Sequence, residues 1–195
     1  VTVAAGDLVA HSPATEKRVG AAMTLGEIAE AAITVSDNTA GNLILDAIGG
    51  PEGLTTFLRT KGDDVTRLDR RETALNQAIP GDLRDTTTPA AMARTLRGLV
   101  VGDGLSTASR ERLVGWMVAD RVGDALLRAG LPKTWRIADK TGAGGNGARA
   151  VVAVVWPPER RPTTIAVFIA ETTATMAERN AAIAEIGAAI GRSLG

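Results

Sequence analysis

WRIADKTGA (Trp135–Ala143), ARAVVAVVW (Ala148–Trp156) and TTIAVFIAE (Thr163–Glu171) read as three strands. GGNG (Gly144–Gly147) and PPERRP (Pro157–Pro162) are the turns between them, because glycine and proline punctuate runs of β-branched residues. Turns this short join antiparallel neighbours, so the segment predicts a meander. A last amphipathic helix follows, with Thr175-x-x-Glu178 as its capping box and Ile183, Ile186 and Ile190 spaced to cover one face of the sheet.

Upstream the period changes from two to that of a helix. Thr24-x-x-Glu27 is a second capping box, followed by Leu25, Ile28, Ala29, Ala32 and Ile33. Asp37 or Asn38 caps a second helix with Leu43, Ile44, Ala47 and Ile48, which Gly49-Gly50 ends. Pro51 opens a third with Leu54, Phe57 and Leu58, stopped at Gly62. Ser36 therefore falls in a loop between helices. From Asp63 to Thr88 the apolar period disappears, and Arg70 with Asp85 can close the ends of an Ω-type loop containing Glu72. Helical patterning resumes at Thr88-Pro89 through Met92, Leu96, Leu99 and Val100, then over Ser109–Met117 and Asp124–Ala129. The expected class is α+β: residues 1–120 form a mostly helical lobe with the loop at 67–88, and residues 121–195 form the meander and its covering helix.

Composition excludes several functions. Acidic and basic residues balance at 22 each, with no cationic run, which argues against nucleic acid or a membrane surface as partner. The chain has no cysteine and only His11 as histidine, so thiol catalysis, a Cys-containing metal site and a His-rich zinc site are out. No run of about 18 apolar residues is present to span a bilayer. Val1-Thr2-Val3-Ala4 carries neither a signal-peptide n-region nor an initiating methionine, so the start reads as a cut or processed end.

Three strings remain that can do chemistry: Ser36-Asp37-Asn38, Glu72 with Asn76, and Lys140-Thr141-Gly142 followed by Ala143. Each alone has a plain structural reading, as a helix cap, a solvated loop carboxylate and a charged residue before a turn. Together they supply a hydroxyl, a carboxylate, carboxamides and an ammonium, the groups a serine-acylating hydrolase needs around a carbonyl. Lys140 to Ala143 would lie at the end of a strand, where the Ala143 N–H can point at an oxyanion while Lys140 holds positive charge nearby. The string that would complete the set, Ser-x-x-Lys, is missing. The four lysines are Lys17, Lys61, Lys133 and Lys140, and three positions before them stand Ala14, Leu58, Gly130 and Ile137.

Order and spacing together make the chain resemble a class A serine β-lactamase, closest to the carbenicillin-hydrolysing branch, over almost its whole length. Further matching strings are Ser12-Pro13, Thr15-Glu16-Lys17, Ser36 to Ala40 with Asn42-Leu43, Gly49-Gly50-Pro51, Arg67 to Arg70, Glu72 to Asn76, Asp85 to Pro89, Trp116-Met117 and Asp139 to Gly144. The resemblance implies that Glu72 activates the water that hydrolyses an acyl-enzyme, with Asn76 helping to hold it. It implies that Ser36 passes a proton to the β-lactam nitrogen and that Lys140 makes the site positive. Thr141 and Arg149 would then meet the substrate carboxylate, Asn38 its amide side chain, Gly142 would belong to the substrate-binding strand, and the Ala143 N–H would be half of the oxyanion hole. Arg70, Asp85 and Asn42 would brace the loop. A metal-free, usually monomeric protein in the periplasm or outside the cell is implied, with a β-lactam as its small-molecule partner.

There are departures. His11 stands where the family commonly has an aromatic gate, Thr73 where a proline often follows the glutamate, and Arg71 where a bulky residue is common. In the family a first helix, two sheet strands and the Ser-x-x-Lys helix precede the point that matches Val1. The expectation is thus a chain that carries the deacylating and binding parts but not the nucleophile, with a sheet edge and a helical groove left open for a complementary N-terminal segment. The alternatives are a non-catalytic complementing fragment and a penicillin-binding D,D-peptidase-like module. Glu72 and Asn76 speak against the latter, and the absence of tyrosine speaks against a class C site.

Overall fold

The computed structural model describes residues 1–195. Three antiparallel strands, β1 (Arg136–Ala143), β2 (Arg149–Trp156) and β3 (Thr163–Ile169), form one sheet in that order. Register pairs Lys140 with Val152 and Ala143 with Arg149, so the Lys140–Ala143 segment lies on an edge strand. Strand β2 is the middle of the sheet and alternates without interruption. Val151, Ala153 and Val155 enter one apolar cluster, while Val152, Val154 and Trp156 face another. A period of two with both faces buried produces the near-continuous apolar run seen in the sequence.

Helices supply both coverings. On one face lie α6 (Leu127–Gly130) and α7 (Met176–Leu194), whose Leu127 and Ile183 join Leu126, Leu131 and Trp135 around the strands. On the other lie α4 (Pro89–Val100) and α5 (Thr107–Val118), through Leu96, Val100, Val114 and Met117. The remaining helices, α1 (Leu25–Thr34), α2 (Asn38–Ala47) and α3 (Gly50–Thr60), form a lobe with its own cluster of Ile28, Ala31, Ala40 and Leu43 against Val3 and Met23. This is the α+β arrangement of helices and an antiparallel meander that the sequence predicts.

The capping boxes at Thr24/Glu27 and Thr175/Glu178 are both formed, each threonine accepting from the glutamate N–H while the carboxylate reaches back. Three details differ from the sequence reading. The buried line of α7 runs through Ile183, Gly187 and Gly191, and Ile186 is exposed. The two glycines let α7 approach Leu127 and Pro132, where added Cβ atoms would sit 2.7 and 2.9 Å from existing atoms. The helix expected over Asp124–Ala129 begins only at Leu127, because neither Asp124 nor Leu126 provides a side-chain cap. Finally, β2 starts at Arg149 and β3 ends at Ile169, since Ala148 belongs to the turn and bonds Gly144 and Gly145.

Candidate active site

The turn between α1 and α2 sets the first group. Asp37 is the N-cap of α2 and is 2% exposed, its carboxylate accepting from Ala40 N, Ala14 N, Thr15 N and Thr15 Oγ1 at 2.8–2.9 Å. With four donors satisfied, Asp37 is a structural anchor rather than a reactant. Anchoring it holds Ser36 in the left-handed region (φ 56) and turns its neighbour Asn38 toward residues 10 and 11. Asn38 Nδ2 donates to Ala10 O at 2.8 Å and its N–H to His11 O at 3.0 Å. The exposed His11 ring lies 3.2 Å from Val35 O through Nε2.

Strand β1 brings the second group. Lys140 Nζ donates to Ser36 Oγ at 2.9 Å and to Thr141 O at 3.0 Å, joining two strings 104 residues apart. Because Ser36 Oγ accepts from an ammonium, its own O–H proton is free to be given elsewhere. Burial pulls the Lys140 ammonium below its ordinary value, with Asp120 and Asp139 acting in the opposite direction. Arg149, on β2, donates Nε to Asn180 Oδ1 at 2.9 Å and Nη1 to Gly142 O at 3.1 Å, while its Nη2 makes no hydrogen bond within the chain.

The third group is held by the loop. Asn42 clamps the backbone of Glu72 from both sides, accepting from Glu72 N at 2.9 Å and donating to Glu72 O at 3.0 Å. The Glu72–Thr73 peptide is cis. Asn76, in a 3₁₀ turn at Ala74–Gln77, donates Nδ2 to Glu72 Oε2 at 2.5 Å. Burial raises the Glu72 carboxyl above its ordinary value against the pull of Asn76 and Lys140. Farther along, Arg70 Nε pairs with Asp85 Oδ2 at 2.5 Å, and Asp85 Oδ1 accepts the N–H groups of Asp69 and Arg70. At the loop's start Asp63 is buried, which by itself would raise its carboxyl, yet hydrogen bonds from Thr66, Thr95 and Val65 bring it to about 2. Arg71, for its part, pairs with Asp46 at the surface.

The β1–β2 turn closes the frame. Gly145 N donates to Asn76 O at 2.8 Å, and Asn146 Nδ2 donates to Gln77 O and Ala78 O. Glycine is required here by space. Cβ atoms on Gly144 and Gly145 would lie 2.5 Å from Asn76 O and from Gln77 O.

These groups surround one open cleft of about 480 Å³. Its lining includes His11, Ser36, Asn38, Glu72, Asn76, Lys140, Thr141, Gly142, Ala143 and Arg149. Arg70, Asp85 and Asn42 lie outside it and act on the loop. Ala32, Gly41 and Val122 also line it, and as small or apolar wall residues they carry no chemical signal in the sequence. Asn180 was missed for the same reason, being one polar residue on an amphipathic helix. A second groove of about 310 Å³, mostly apolar, shares the lining residues Ala32, Gly41 and Glu72 with the cleft and is walled by Ile33, Ile44 and Leu54. No cluster of three or more His, Cys, Asp or Glu side chains is placed to hold a metal, and no helix is long and apolar enough to cross a membrane.

A helical lobe packed beside a helix-covered antiparallel sheet, with serine, lysine and glutamate meeting at the junction, is the architecture of the class A β-lactamases. The chain belongs to that family: the profile of the Beta-lactamase enzyme family matches residues 1–194. It is 50% identical over 188 residues to β-lactamase AER-1 of Aeromonas hydrophila, which covers 96% of this chain and 62% of that protein. The chain therefore spans only about three fifths of this curated relative. Among solved structures it matches an ancestral Gram-negative class A β-lactamase at 56% identity and a TM-score of 0.98, covering 99% of this chain and 74% of that one. The putative class A β-lactamase PenP from Rhodopseudomonas palustris matches at 51% identity and a TM-score of 0.97, with 99% and 74% covered.

Proposed function

We propose that this chain is the substrate-binding and deacylating part of a β-lactamase that hydrolyses β-lactam antibiotics, penicillins and carbenicillin among them, through a serine acyl-enzyme. The observation that carries the reading is Glu72. Its carboxylate is oriented by Asn76, its backbone is clamped by Asn42, and it shares a cleft with the Lys140–Ser36 pair. A carboxyl raised by burial is better matched to accept a proton from water than an ordinary one, provided it stays ionised at working pH.

The remaining roles follow from the same contacts. Ser36, held by Lys140 through its oxygen, has a proton to give to the β-lactam nitrogen as the ring opens. Arg149 Nη2, Thr141 and the Lys140 charge meet the substrate carboxylate, Asn38 and His11 border the acyl side chain, and Ala143 at the end of β1 borders the carbonyl. The nucleophile is supplied by a segment bearing Ser-x-x-Lys, a string absent from the 195 residues. We place that segment over the apolar groove, because Glu72 and Gly41 line both groove and cleft and an apolar helix there would lie beside the carboxylate. The isolated chain would then not turn over, and the assembled protein would act in the periplasm or outside the cell.

The test is complementation. The 195-residue chain is assayed on a chromogenic cephalosporin alone and after addition of a polypeptide carrying Ser-x-x-Lys. Activity only after mixing is the expected result. Turnover by the chain alone, or none in the mixture despite a stable complex, overturns the reading.

A further inference from the structure

Beneath Lys140 lies a group of side chains that the proposed chemistry does not use. Asp120, just past the end of α5, is 4% exposed, and Asp139, one residue before Lys140 on β1, is 0% exposed. One oxygen of each is engaged. Asp139 Oδ1 accepts from Arg128 Nε at 2.7 Å and pairs with Nη2, while Asp120 Oδ1 accepts from Val122 N at 3.3 Å. The other oxygen of each, Oδ2, is buried and has no partner. These two oxygens converge on one point. A Cβ built on Gly123 would stand 2.2 Å from Asp139 Oδ2 and 2.7 Å from Asp120 Oδ2, so only glycine leaves room for both.

Two carboxylate oxygens aimed at the same buried point repel, and neither can be solvated there. A single proton between them removes the repulsion and satisfies both atoms. We propose that Asp120 carries this proton at neutral pH and donates it to Asp139, forming a buried acid–carboxylate clasp that positions Lys140 and the Val122 wall of the cleft. The proton belongs on Asp120 because Arg128 faces Asp139 and favours its anion. Segment 120–123, which the clasp ties to β1, carries Val122 at the cleft, and Arg121 N donates to Thr34 O at the end of α1. Asp120 is thus a positioning residue that acts through Asp139 and Val122.

The charged groups facing Asp120 are Asp139 and Lys140 on β1, Arg128 on α6 and Arg149 on β2. The three cations favour its anion, whereas burial favours its acid; Asp139 is raised as well, by burial first and by the neighbouring Asp120, against the pull of Arg128. Burial is the largest influence and the Asp120 carboxyl lies above its ordinary value. A carboxyl raised in the folded state gives stability that is fully present below its unfolded value and lost as pH rises through the folded one.

Asp120→Asn tests this, since its amide keeps the shape and the donation to Asp139 but cannot titrate. In thermal melts from about pH 4 to about pH 9, the wild-type chain should lose stability relative to Asp120→Asn, the gap in Tm widening by roughly 3–5 °C. Parallel curves, or a gap that closes as pH rises, overturn the proposal. A direct reading uses the wild-type chain with aspartate carboxyls labelled with ¹³C. One aspartate should keep its protonated signal at pH 7 and be absent from the Asp120→Asn spectrum; all aspartates ionised at pH 7 would sink the idea. For positioning, Asp120→Ala should shift the Val122 amide and Lys140 Nζ resonances while Asp120→Asn restores them, and equal perturbation by both variants counts against the role. None of these readouts depends on Glu72 being a deacylating base.

Discussion

The two walls of the cleft are built by opposite means. Lys140 and Thr141 ride on β1, whose neighbour β2 is packed in hydrocarbon on both faces, with Val151, Ala153, Val154 and Val155 wholly buried. Glu72 and Asn76 ride on a loop in which no residue from 67 to 88 is buried, held instead by directional bonds from Asn42, Asp69, Arg70 and Asp85. Apolar burial is non-directional and large, so it secures the fold while tolerating small shifts. A hydrogen-bonded frame contributes little net stability per bond but fixes position sharply. The division predicts that damage to the loop wall is read in turnover and damage to the sheet wall in stability.

The strongest way to break that division is at the carboxylate. In the complemented enzyme, Glu72→Gln should lower turnover about a thousandfold and leave an acyl adduct visible by mass spectrometry. An unmodified protein with normal turnover removes Glu72 from the role. On the opposite wall, Ile183→Ala, at a site with 0% exposure, should cost about 3 kcal/mol in urea denaturation, with kcat/KM nearly unchanged while folded. A large kinetic defect there would blur the contrast.

Smaller effects sharpen it. Arg70→Ala leaves Asp85 with its two backbone donors, so stability should fall by about 2 kcal/mol, while a misplaced Glu72 should slow deacylation about a hundredfold. Finer still is the pH profile. Burial raises the Glu72 carboxyl and the Asn76 amide lowers it, so in Asn76→Ala the acid limb of deacylation should move to higher pH. The sign for stability is opposite to that of an ordinary salt-bridged carboxylate. A raised folded value means the contribution is present below the unfolded value and lost as pH rises through the folded one. Glu72→Gln should therefore gain stability over wild type as pH rises from about 4.

Much of the fold was legible because its signals are local. The two capping boxes, the glycine and proline turns and the switch of period from helix to strand each depend on residues a few positions apart. Where the structure departs from local pattern, a tertiary contact intervenes. Ile186 has helical spacing for burial, but the Gly187 and Gly191 contact with α6 rotates the packed line away from it. The site strings were legible as strings. Their partners were not: Thr15 under Asp37, Asn180 beside Arg149 and Asp120 opposite Asp139 come from elements whose own patterns contain no trace of the encounter.

Element types, the order of Ser36, Glu72 and Lys140, and the lack of any Ser-x-x-Lys among the four lysines are all written in the linear chain. These follow from composition and short-range spacing, which a linear text carries in full. Folding alone brings Lys140 to Ser36 across 104 residues, sets Asn42 on both sides of Glu72, and turns two aspartates toward the same space beside Gly123. Hydrogen bonds and charges act over a few ångströms, and which residues come within that distance is set by the packing of helices against the sheet.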